Sequence, residues 1–168
     1  MYSAKNAGRN QYQFYKDAMT SEIFEKIIMK QEITDAIKNN EFELYYQPQI
    51  DIKTNKIIGA EALLRWNHKN LGLIPPNEFI IHAEETKLII PLGEYVLKTA
   101  CSFMKELQDK KILENAKVSV NISPVQLKYS DIYKMVVDNL KITNLDPSFL
   151  ELELTETFIM ENVEESIL

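Results

Sequence analysis

From Lys56 to Trp66 the chain alternates, with Ile58, Ala60, Ala62, Leu64 and Trp66 on one parity and Glu61, Leu63 and Arg65 on the other. Period two predicts a strand with one face turned to a core. Four residues at about 3.3 Å each hold Glu61 and Arg65 roughly 13 Å apart along the shared face, too far for a direct ion pair. Upstream, Phe42, Leu44, Tyr46 and Ile50 alternate with Glu43, Tyr45, Gln47 and Gln49, a second strand. Lys53-Thr54-Asn55-Lys56 turns one into the other, with Asn55 suited to positive φ, so an antiparallel pair is expected. Downstream, Val118, Val120 and Ile122 alternate with Ser119, Asn121 and Ser123, and Leu150, Leu152 and Leu154 with Glu151, Glu153 and Thr155.

Between these strands lie helical patterns. Pro75-Pro76 opens a helix over 77–85, and Pro91-Leu92-Gly93 opens another with Val96, Leu97, Ala100, Phe103, Met104 and Leu107 on one face. Ser123-Pro124-Val125-Gln126 combines an N-cap serine, a first-turn proline and a capping-box glutamine, so a helix starts right after Asn121. Asp131 to Leu140 reads as the next helix. Strand, helix, strand in this order argues for parallel βα units. At the front, Thr20 to Asn39 carries Ile23, Phe24, Ile27, Ile28, Ile33, Ala36 and Ile37 on a helical stripe that Asn39-Asn40 would end. That stripe suits packing on its own domain, or pairing with a second copy. Before it, 1–5 reads as a helix end, Gly8 as its cap and 9–15 as a short strand.

Apolar content of 45% and charged content of 26% in 168 residues describe an ordinary globular domain with a real core. No apolar run is long enough to span a membrane and no secretory pattern opens the chain, so a cytoplasmic location is expected, although a longer parent could carry membrane segments. Net charge is −6 and the pI about 5.1, with no basic cluster to track a nucleic-acid backbone, which argues against DNA or RNA duplex as a partner. The single Cys101 falls within an apolar helical pattern and reads as a buried reduced thiol. His68, in an expected loop, and His82, in a helix, have no second His or Cys at metal spacing and receive no role.

Glu61-Ala62-Leu63, within Gly-Ala-Glu-Ala-Leu-Leu-Arg-Trp, resembles the signature of EAL domains, bacterial phosphodiesterases that hydrolyse cyclic di-GMP. Four further blocks follow the family's order: Tyr46-Gln47-Pro48, Pro76-Asn77-Glu78-Phe79-Ile80, Val120-Asn121-Ile122-Ser123 and Leu152-Glu153-Leu154-Thr155-Glu156. The resemblance implies an α/β fold, a TIM-like (β/α)8 barrel in which one early strand runs antiparallel, present here as its N-terminal half. Barrel chemistry sits at the C-terminal ends of strands, and Glu61, Asn121 and Glu153 are expected on the polar face near such ends. By periodicity alone they are solvated strand residues; the resemblance makes them metal ligands, and their oxygens suit Mg²⁺ or Mn²⁺. It also implies a catalytic role for Glu61, a metal-site loop steadied by Glu156, a substrate phosphate on Arg65, substrate contact by Leu63, and the guanine region near Gln47 and Pro124. The string from Tyr2 to Asn10 resembles the end of a GGDEF domain. The expected division is therefore a GGDEF-like remnant over 1–18, a linker helix over 19–40 and a truncated EAL domain over 41–168.

A TIM-like barrel takes about 250 residues, whereas about 130 follow residue 40. Four of eight strands are expected. The family's later blocks, an Asp-Asp pair before Phe-Gly, a Lys and a further Glu, have no counterpart. The expectation is a parent that hydrolyses cyclic di-GMP, with this chain inactive alone and prone to self-association through open strand edges. The alternative is a non-catalytic cyclic di-GMP-binding, signalling or dimerisation module.

Overall fold

The structure, a computed structural model, describes residues 17–154, with side chains from residue 26. The expectations for 1–16 and for Glu156 lie outside the described residues. The chain runs α1 (Asp17–Asn39), β1 (Phe42–Asp51), β2 (Lys56–His68), β3 (Gly72–Ile74), α2 (Pro76–Glu85), α3 (Ile89–Asp109), β4 (Lys117–Ile122), α4 (Pro124–Tyr129), α5 (Ile132–Thr143), a 3₁₀ turn at Pro147–Phe149 and β5 (Leu150–Leu154). The result is an α/β fold on one mixed sheet.

β1 and β2 form the expected antiparallel hairpin, with Gln47 opposite Glu61 and Glu43 opposite Arg65. Asn55 sits in the turn at φ 53°, its N–H on the Asp51 carbonyl at 2.8 Å. On its other edge β2 is shared. β4 lies parallel to it along Gly59–Ala62, while β3 pairs antiparallel with Trp66–His68, so that residues 63–65 have no strand partner on that side among the described residues. The sheet forks there. β5 completes it, parallel to β4, with Glu153 opposite Asn121.

The even parity of β2 and the apolar parity of β4 meet the helices: Ala62, Leu64, Trp66, Val118, Val120 and Ile122 pack with Phe79 and Ala83 of α2 and with Leu97, Ala100 and Met104 of α3. From α1, Ile33 and Ala36 join this core, so its stripe packs on its own domain. Trp66 is fully buried, in edge contact with Phe79 at 5.7 Å between centroids, while its Nε1–H reaches Glu41 Oε2 at 3.1 Å. A buried indole needs such an acceptor.

Three expectations need correction. His68 is not in a loop: it ends β2, buried, with Nδ1 accepting the N–H groups of Asn70 and Leu71 at 3.2 and 3.1 Å. β3 is a fifth strand that three residues beginning with a glycine did not announce. α3 begins at Ile89, two residues before Pro91. Pro91 is its third residue, where the missing N–H would have had no intrahelical acceptor.

Candidate functional site

The face of the sheet opposite the helices carries the odd parity of β2. Glu61 lies between Gln47 of β1 and Ser119 of β4, both in register with it. Two residues further along β4, Asn121 leans back and donates through Nδ2 to Glu61 Oε1 at 2.7 Å. Glu153, half-buried on β5, is the register partner of Asn121. The sheet thus brings Glu61, Asn121 and Glu153 onto three consecutive parallel strands, although their sequence separations are 60 and 32 residues. Asn121 and Glu153 sit near strand C-terminal ends as expected. Glu61 does not: it is mid-strand, because β2 runs on for seven residues beyond it to pair with β1 and β3.

Asn121 contributes its amide hydrogen to Glu61, which keeps Oδ1 turned elsewhere with both lone pairs. The set is a carboxylate, an amide oxygen and a second carboxylate one strand over, all hard oxygen donors that fit a Mg²⁺- or Mn²⁺-sized cation and not zinc. Among the described residues no three His, Cys, Asp or Glu side chains cluster closely enough to hold a metal by themselves. The fit therefore depends on the asparagine.

Leu63 and Arg65 continue the same face. The Arg65 guanidinium lies 5.5 Å from the Tyr45 ring centroid and donates from Nη1 to the Leu64 carbonyl at 2.9 Å. No carboxylate pairs with Arg65 among the described ion pairs, so its other N–H groups suit an anion. Gln47 is exposed at the level of Glu61. Beneath Glu61, Ser119 is fully buried, within 3.4 Å of Gln49 Nε2 and 3.5 Å of Glu151 Oε2, and Glu151 pairs with Lys117 at 2.7 Å.

Pro124 stands apart from that face, at the lip of a cavity of about 530 Å³ in the fork of the sheet. Leu63, Leu64, Ile80, Val96 and Ile122 give it apolar walls; Glu84, Asn121, Ser123 and Gln126 are its polar groups. Sequence reasoning recognised Gln126 as a capping residue, and its Oε1 does accept the Ser123 N–H at 3.0 Å. It did not reveal the other end. Nε2 is buried without a partner among the described residues, resting where a side chain on Gly93 would be, 1.9 Å from an added Cβ. Nothing local in the sequence marks Glu84, because its partner, Ser123 Oγ at 2.7 Å, is 39 residues away.

Burial shifts two titratable groups on the core side of the sheet. Cys101 is buried in α3, and loss of solvent pushes its thiol up to about 11. Burial likewise raises the Tyr46 phenol, whose ring stacks on Phe103 at 3.8 Å. No helix among the described residues is long and apolar enough to cross a membrane.

Comparison with known proteins places these residues in context. The EAL domain family model matches residues 30–167, beginning inside α1. The bifunctional diguanylate cyclase/cyclic di-GMP phosphodiesterase MucR of Pseudomonas aeruginosa is 35% identical over 167 residues, covering 99% of this chain and 24% of that protein. The cyclic di-GMP phosphodiesterase PdeR of Escherichia coli is 35% identical over 164 residues, covering 98% of the chain and 24% of PdeR. This chain thus spans about a quarter of the length of these relatives. Among solved structures, the PaMucR phosphodiesterase in complex with c-di-GMP superposes with a TM-score of 0.78 at 35% identity, over 82% of this chain and 56% of that one.

Proposed function

The chain belongs to the EAL-domain family, and from that premise we propose that it supplies part of a divalent-metal-dependent site that hydrolyses cyclic di-GMP to the linear dinucleotide in the intact protein. The observation that carries this reading is the bond from Asn121 to Glu61, with Glu153 in register beside it and Leu63 and Arg65 on the same strand face. Glu61, Asn121 and Glu153 hold the cation through oxygen. A Mg²⁺ or Mn²⁺ ion bound there supplies polarisation of the phosphodiester and a more acidic water. Arg65 takes a phosphate oxygen in a charge-assisted bond, its position already limited by Tyr45. Leu63 packs on the ligand, Gln47 and Pro124 flank a guanine, and Glu156 steadies the metal-site loop.

This chain on its own binds cyclic di-GMP without turning it over. Two carboxylates and an amide make one incomplete metal shell among the described residues, and the second reading is a non-catalytic binding or signalling module. The test is chromatography of cyclic di-GMP incubated with the chain in Mg²⁺, in Mn²⁺ and in chelator, beside calorimetric binding to the chain and to Glu61→Ala. Metal-dependent binding that Glu61→Ala abolishes, without linear product, supports the proposal. Linear product from the chain alone overturns the inactive-fragment part, and no binding in any condition overturns the site.

A further inference from the structure

Ser123 follows β4 immediately beyond the site; its carbonyl accepts from the Gln126 and Leu127 N–H groups, and three further hydrogen bonds hold its N–H and hydroxyl. Its N–H donates to Gln126 Oε1 at 3.0 Å, and its Oγ accepts from the Val125 N–H at 3.1 Å. Those two bonds are the capping box of α4, complete within the helix's own first turn. The third is different in kind. The Ser123 hydroxyl donates to Oε1 of Glu84 at 2.7 Å, crossing from the end of β4 to the last turn of α2.

Glu84 is half-buried, and its side chain lines the mostly apolar cavity in the fork of the sheet. The cap does not require it. What its bond adds is a tie between α2 and the end of β4, at a residue whose same-face neighbour is Asn121. Ile122 between them is buried in the core, so the short segment has little freedom to absorb a displacement of Ser123. The bond from Asn121 to Glu61 spans two strands and depends on where β4 ends.

We propose that Glu84 is a positioning residue for the Glu61–Asn121 pair, acting through the hydroxyl of Ser123. The metal part of its test rests on the proposed function; the structural part does not. In the 168-residue chain, the side-chain amide resonances of Asn121 report its bond to Glu61, and Mn²⁺ titration reports the assembled oxygens. Glu84→Leu keeps the volume and removes the acceptor; Glu84→Gln keeps an acceptor for the hydroxyl. The Leu variant is expected to shift the Asn121 amide resonances and weaken Mn²⁺ binding by about tenfold, as loss of a group supporting a ligand does. The Gln variant restores both. A folded Leu variant with unchanged Asn121 resonances overturns the proposal, as does a Gln variant that behaves like Leu. Should Glu84→Leu unfold by circular dichroism, Glu84→Ala removes the same acceptor without touching the cap at Ser123 and is read in the same way. If the unsubstituted chain binds no Mn²⁺, the functional reading fails for this chain, while the resonances still decide the role of Glu84.

Discussion

Glu61 finds its partner across the sheet and not along its own strand. The pleat puts Arg65 on the same face, but roughly 13 Å away, whereas Asn121 arrives from β4 within 2.7 Å. Replacing Glu61 with Gln keeps the shape and removes the charge, so Mn²⁺ affinity should fall at least tenfold by titration, with little change in urea midpoint. Arg65 offers planar, paired donors that a lysine lacks. Arg65→Lys is therefore expected to weaken cyclic di-GMP binding several-fold by calorimetry despite equal charge. Cys101 has the opposite character: buried, with a thiol pushed up to about 11, it should resist iodoacetamide at pH 8 in the native chain and react once denatured.

Individual elements were readable where a local pattern decides them. Parity put Glu61, Leu63 and Arg65 on one face, Asn55 specified the hairpin, and Ser123 with Gln126 specified the start of α4. Reading failed where distant partners decide. Asn67-His68-Lys69-Asn70 looks like a polar loop until β3 covers it, and then the imidazole of His68 serves two backbone N–H groups. Pro91 suggested a helix start, yet the first turn tolerates it at the third position as well. Gly93 sits inside α3, where alanine would ordinarily favour the helix by about 1 kcal/mol. Here Gln126 occupies the space of the missing side chain, with Nε2 1.9 Å from the added Cβ. Gly93→Ala should therefore destabilise by about 1–3 kcal/mol, seen as a lower urea midpoint, because it displaces the capping glutamine.

At the scale of the molecule, the site was readable as residues but not as a place. The motifs named Glu61, Asn121 and Glu153; only the parallel register of β2, β4 and β5 makes them neighbours, and no periodicity shows that the sheet forks over a cavity. Among the described residues β1 and β5 each have a strand neighbour on one side only. Open edges of this kind pair with other chains, so sedimentation velocity should show association that grows with concentration. A single monomeric boundary at all concentrations would count against it.

The fork has a further signature in time. N–H groups along a strand point alternately to either edge, so at least one amide in residues 63–65 faces away from β1, toward the side where neither β3 nor β4 is hydrogen-bonded to β2. Deuterium should enter there early, inside the longest strand of the sheet and between stretches that exchange late. A ligand seated over Leu63 would slow that early exchange, turning a gap in the ladder into a reporter of occupancy.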